Sequence, residues 1–153
     1  MKSKGSTLKE ARSHRLEIQI DGSSKGNPGP SGIGVVMTTD SGTALEISEY
    51  VGVATNNVAE YLALVTALEE ALIRGASRLV IRTDSELLAK QIKREYKIRK
   101  DNLRFLFRRA KRLMSAFEEV DVVHVSREQN VRADALAAEA IPLPGNQRDF
   151  FQG

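Results

Sequence analysis

Four carboxylates stand where they could act together. Asp21 ends the alternating stretch LEIQID (16–21) and is followed by GSSKGNPGP, a run rich in Gly, Ser and Pro; Asp84 follows RLVIRT (78–83). Glu60 lies three residues after Asn57 in TNNVAEY, and Asp134 four after Asn130 in NVRADALA. Each has a plain structural alternative. Asn57 and Glu60 fit a capping box, Asp84 fits a helix cap, and Asp134 would complement a helix dipole. As a set they ask for more, because converging carboxylates repel one another and hard divalent cations with oxygen ligands relieve that repulsion. The chemistry this points to is magnesium or manganese binding.

The elements that would position them are legible from periodicity. LEIQID alternates with period two, and residues 32–54 read as two strands joined at Asp40-Ser41-Gly42, giving an early three-stranded meander. From Asn57 the period becomes helical, with Leu62, Val65, Leu68, Ala71 and Leu72 on one face, until Arg74 and Gly75 close the helix. A strand at 78–83 and a helix from about Ser85 to Tyr96 follow. The next helix keeps Leu103, Leu106, Phe107, Ala110, Leu113, Met114 and Phe117 on one face. VDVVHV (120–125) is the last strand, SREQ is a loop, and Asn130 caps a short final helix. His124, inside that apolar strand, reads as structural, and His14 as inert.

The order β-β-β-α-β-α-α-β-α predicts an α/β fold: a mixed five-stranded sheet, three antiparallel strands then two parallel, flanked by helices. Sites in such sheets open at the carboxyl ends of parallel strands. If the first and fourth strands are parallel neighbours, Asp21 and Asp84 face each other.

The 153-residue chain suits one domain, expected at 15–141 between a basic flexible tail (1–14) and an irregular C-terminal tail (142–153). It has no cysteine, which excludes disulfides and thiolate metal sites and is compatible with a cytoplasmic location. No run approaches a membrane span. The net charge of +3 conceals segregation. Residues 1–15 carry five Lys or Arg against one Glu, and residues 90–112 eleven against two, leaving seven basic and seventeen acidic residues elsewhere. A basic face opposed to an acidic one is either a solvated helix surface or a footprint for a phosphate backbone.

IDGSSKGNPGPSGIG, TNNVAEYLALVTALEEAL, IRTDSELLAKQI and HVSREQNVRADALAAEA together resemble type 1 ribonuclease H (ribonuclease HI), in order and approximate spacing, over about residues 15–141. The resemblance implies the ribonuclease H fold and endonucleolytic hydrolysis of the RNA strand of RNA/DNA hybrids, leaving 5′-phosphate and 3′-hydroxyl ends. It assigns metal binding to Asp21, Glu60, Asp84 and Asp134, with two Mg2+ or Mn2+ ions when substrate is bound and Asp21 as the bridge between them. In two-metal sites the ions stand ~3.5–4 Å apart, which calls for a shared carboxylate. Ser23, Gly26, Asn27, Asn56, Asn57 and Glu60 lie in motifs suited to reading the 2′-hydroxyl in the minor groove. Asn27 in GNPGP alternatively builds a turn. Thr55 resembles the threonine with which this family holds a DNA-strand phosphate, while Lys100 or Asn102 would supply a second phosphate contact.

The sequence departs from the family pattern in three places. The basic segment 93–104 is short and lacks a tryptophan-rich loop, Lys100 stands where several relatives have asparagine, and SREQN has no histidine. Arg127 is the candidate to replace that histidine in product release. No obligate protein partner or membrane association is expected, and a monomer is. The alternative is a noncatalytic module that binds hybrids with the same fold; an intact carboxylate set disfavours it, since a pure binder gains affinity by neutralising those charges. A nuclease of the wider superfamily acting on other nucleic acids is a third reading, less suited to motifs that read a 2′-hydroxyl.

Overall fold

The computed structural model describes residues 14–94 and 98–143. Strands β1 (Arg15–Ser24), β2 (Gly29–Thr39) and β3 (Gly42–Ala54) form the meander, followed by α1 (Asn56–Ile73), β4 (Arg78–Thr83), α2 (Glu86–Ile92), α3 (Asp101–Met114), β5 (Glu119–His124), a 3-10 turn (Arg127–Gln129) and α4 (Val131–Glu139). The sheet order is β3-β2-β1-β4-β5. β1 pairs antiparallel with β2 and parallel with β4, and β4 pairs parallel with β5. The expected mixed sheet is present, and β1 and β4 are parallel neighbours.

The pleat divides the molecule into two layers. Leu16, Ile18 and Ile20 of β1 share a face with Ile33, Val35 and Met37 of β2 and with Leu79 and Ile81 of β4, and this face joins Leu64 and Leu68 of α1 in the main core. Leu103 and Ala110 of α3 complete it, with Phe117 just beyond the helix. On the opposite face Val36 meets Ala133 and Leu136 of α4. Gly32 and Gly34 make that second contact possible: a Cβ on Gly34 would lie 2.1 Å from the Ala133 carbonyl oxygen, and one on Gly32 2.3 Å from that of Ala137. The helix therefore lies directly on the backbone of β2. Arg132 holds it to β3 with a two-pronged ion pair to Glu46 (2.8 and 2.9 Å), and Ser48 donates to the Leu136 carbonyl at 2.6 Å.

Several local expectations need correction. The cap of α1 is Thr55, whose hydroxyl accepts from the Val58 N–H (3.2 Å), so Asn57 and Glu60 form no capping box. Ser85, not Asp84, caps α2 by accepting from the Leu88 N–H. Asn130 occupies the cap position of α4 without capping it through its side chain, and SREQ is a 3-10 turn closed by a Ser126–Gln129 capping box. Leu72 is exposed because its neighbours Tyr61, Leu64, Leu68 and Ala71 already fill the buried stripe. Helix α2 ends at Ile92, where Lys93 closes it and Arg94 takes φ +63°, a conformation that cannot continue a helix. Its expected end at Tyr96 lies outside the described residues, as do residues 1–13 and 144–153 of the two expected tails. His14 lends its carbonyl to the N–H groups of Ser77 and Arg78. His124 is exposed at the end of the edge strand β5 rather than packed in a core.

Candidate active site

The carboxyl ends of β1 and β4 meet at residues Ile20 and Thr83, the last pair in their register. The next residues in each strand direction are Asp21 and Asp84. Asp21 is buried because it extends on the α4 side of the sheet, opposite Gly34. Gly22 then allows α1 to come close: a Cβ there would lie 2.4 Å from both the Ala59 carbonyl carbon and the Glu60 nitrogen. That approach brings Glu60 Oε1 to the Gly22 N–H, which donates at 3.0 Å. One carboxylate oxygen from each of Asp21, Glu60 and Asp84 lies within 4.8 Å of the others. Asp134, in the first turn of α4, is close enough to raise the carboxyls of both Asp21 and Glu60.

The electrostatics follow from burial of like charges. The Asp21 carboxyl is pushed up to about 10, mainly by desolvation and then by the charges of Glu60 and Asp84. Glu60 is also raised, again chiefly by burial, against the opposing hydrogen bonds from the Gly22 N–H and the Asp21 side chain. Glu60 Oε2 is buried without a hydrogen-bond partner. An orphaned carboxylate oxygen beside carboxyls that resist ionisation fits a hard divalent cation, which would satisfy the oxygen and draw off the proton. Asp21, Glu60 and Asp84 would hold it.

Comparison with known proteins gives this geometry its context. The sequence profile of a family described as reverse transcriptase-like matches residues 19–140. Ribonuclease HI of Halobacterium salinarum is 41% identical over 131 residues, which cover 85% of this chain and 66% of that protein. The crystal structure of RNase H1 from the same archaeon superposes with a TM-score of 0.80 at 41% identity, covering 82% of this chain and 96% of that one. The chain belongs to the type 1 ribonuclease H family. A second ribonuclease H structure, that of LC11-RNase H1, isolated from compost and solved in complex with an RNA/DNA hybrid, gives a TM-score of 0.78 at 40% identity, covering 82% of this chain and 96% of that one. The match also spans only 35% of a bifunctional protein of Mycobacterium tuberculosis, so the unit recurs within longer chains.

The other expected site residues lie in three parts of the fold. Ser23 lies near the end of β1, Gly26 and Asn27 in the loop after it, and Thr55, Asn56 and Asn57 at the start of α1. Asn27 Oδ1 accepts from the Asn56 N–H at 3.0 Å, so its carbonyl braces the loop against the helix while its NH2 remains available. Ser24 Oγ, which bonds the Gly26 and Ala54 carbonyls, and Ser31 Oγ, which bonds those of Gly29 and Ala54, tie the same loop to the end of β3. Thr55 accepts the Val58 N–H and keeps its own hydroxyl proton for another acceptor. Lys100 and Asn102 are exposed at the start of α3, and Lys100 makes no side-chain cap. Arg127 is exposed in the 3-10 turn. Sequence reasoning assigned no site role to Gly22, whose missing side chain admits Glu60; its signal was the glycine next to the strand-terminal Asp21.

Proposed function

We propose that the protein is an endonuclease that hydrolyses the RNA strand of RNA/DNA hybrids with divalent cations, leaving 5′-phosphate and 3′-hydroxyl ends. The observation that carries this reading is the buried convergence of Asp21, Glu60 and Asp84 in a chain of this family. Bound Mg2+ or Mn2+, two ions with substrate in place, supplies the positive charge that makes water a competent nucleophile at neutral pH and offsets charge on the leaving oxygen. The chain's own residues do the rest. Asp21, Glu60, Asp84 and Asp134 would hold the ions at the sheet end. The burial that raises Asp21 keeps competing water away from it.

Substrate selection rests on the braced loop. Ser23, the Gly26 backbone, the NH2 of Asn27, and Asn56, Asn57 and Glu60 offer donors and acceptors to the minor groove, where a 2′-hydroxyl can be both. Thr55 directs its hydroxyl proton to a phosphate at the start of α1, where the helix dipole also favours an anion. Lys100, or Asn102 beside it, takes a second phosphate. Arg127 assists departure of the cleaved strand. The RNA/DNA hybrid seen with LC11-RNase H1 supports this substrate class. All four carboxylates come from one chain, which supports a monomer working as a unit of about residues 15–141. No helix among the described residues is long and apolar enough to cross a membrane. A chain without cysteine suits the reducing cytoplasm, and we place it there.

Asp84→Asn separates binding from cutting. Turnover is expected to fall to near zero while hybrid affinity, measured by fluorescence anisotropy, stays the same or rises as one anionic charge is removed. Unchanged turnover would remove Asp84 from the site.

A further inference from the structure

Asn130 is fully buried and has no task in the function proposed above. Its Nδ2 donates to the Ile20 carbonyl at 2.8 Å. That carbonyl lies where the β1–β4 register ends, one residue before Asp21. The Asn130 backbone carbonyl accepts from the Asp134 N–H, and its own N–H donates to the Arg127 carbonyl, both at 3.0 Å. With φ −128° and ψ 22° it stands outside helical geometry, so its side chain reaches across to β1 instead of capping α4. Its Oδ1 has no partner.

The body of α4 is fixed to β2 and β3 by the glycine cradle, Ser48 and Arg132. Among the described residues, Asn130 makes the side-chain hydrogen bond that joins the start of this helix to β1. We infer that Asn130 is a positioning residue: it locks Asp134 and the Arg127 turn to the carboxyl end of β1 and thereby sets how tightly the carboxylate site grips divalent cations. The inference rests on the proposed hydrolase reading and names a residue that acts through Asp134 without touching substrate.

The test uses Asn130→Ala, which deletes the donor, and Asn130→Asp, which keeps the volume and turns an acceptor toward the Ile20 carbonyl. Calorimetric titration of Mn2+ into protein free of nucleic acid should show about a tenfold loss of affinity, in the range typical when a residue supporting a metal ligand is removed. The kcat for hybrid cleavage should fall similarly, with KM within about twofold, as expected of a residue that acts through a metal ligand. In an Asp134→Ala background, Asn130→Ala should cost no further Mn2+ affinity. Folded variants with wild-type Mn2+ affinity, or an additive loss in the double variant, would overturn the inference. If neither single variant folds, Mg2+ titration of the wild-type protein by NMR decides: the Asn130 side-chain amide should shift with the same midpoint as the Asp134 backbone amide. A stationary Asn130 beside a moving Asp134 would refute it. A wild-type protein that neither binds Mn2+ nor cuts hybrid would instead remove the hydrolase reading itself.

Discussion

Asp21→Asn should make the cation-free protein more stable while destroying its activity. The substitution preserves shape and removes the charge that burial and the neighbouring carboxylates oppose. The sign follows from the direction of the shift. The folded Asp21 carboxyl is raised from 3.8 to about 10, so its contribution to stability is fully present below pH 3.8 and is lost as pH rises toward 10. Each pH unit in that window costs about 1.4 kcal/mol for one retained proton. Between pH 3.8 and 7 the loss is therefore on the order of 4 kcal/mol, which the asparagine does not suffer. Urea denaturation in EDTA at pH 4.5 and pH 7 measures this directly. The variant should exceed wild type by about 4 kcal/mol at pH 7 and by no more than about 1 kcal/mol at pH 4.5. Adding Mg2+ should narrow the gap by stabilising wild type alone. A variant that is less stable than wild type, or that shows the same difference at both pH values, would refute the account of strained carboxylates.

Other perturbations probe the parts that hold the site. Gly22→Ala should destabilise the protein by about 3 kcal/mol or more, read by urea denaturation, since its Cβ would meet α1 backbone at 2.4 Å and drive Glu60 away from Asp21. Arg127→Ala should lower the steady-state rate more than the single-turnover rate; equal effects on both would place it in the chemical step instead.

The parts of the site that depend on strand geometry could be read from the chain. Period-two alternation ending at Asp21 and at Thr83 was enough to put two carboxylates at strand ends, and the parallel pairing of β1 with β4 is what brings them together. The support given by Glu60 and Asn130 was not legible. Both looked like local helix caps, because the residues around them carry capping chemistry, yet each spends its side chain on β1, at sequence separations of 38 and 110. Such contacts depend on how closely helix and sheet approach, and that is decided at Gly22, Gly32 and Gly34 by the absence of side chains. His124 misled for a related reason: the apolar pattern of its strand was correct, but the end of an edge strand leaves its last residue in solvent. The helical face of α3 was legible because Leu103 and Ala110, with Leu106, Phe107, Leu113 and Met114 beside them, repeat toward the core, although the helix stops at Met114, short of the expected Phe117.

The most direct test of the central claim is cleavage of an end-labelled RNA/DNA hybrid with Mg2+ or Mn2+, beside matched double-stranded DNA, double-stranded RNA and single-stranded RNA, and with EDTA as control. The account predicts cutting of the RNA strand of the hybrid alone, leaving 3′-hydroxyl ends and ceasing in EDTA. Tight hybrid binding with no cutting under either metal would contradict it.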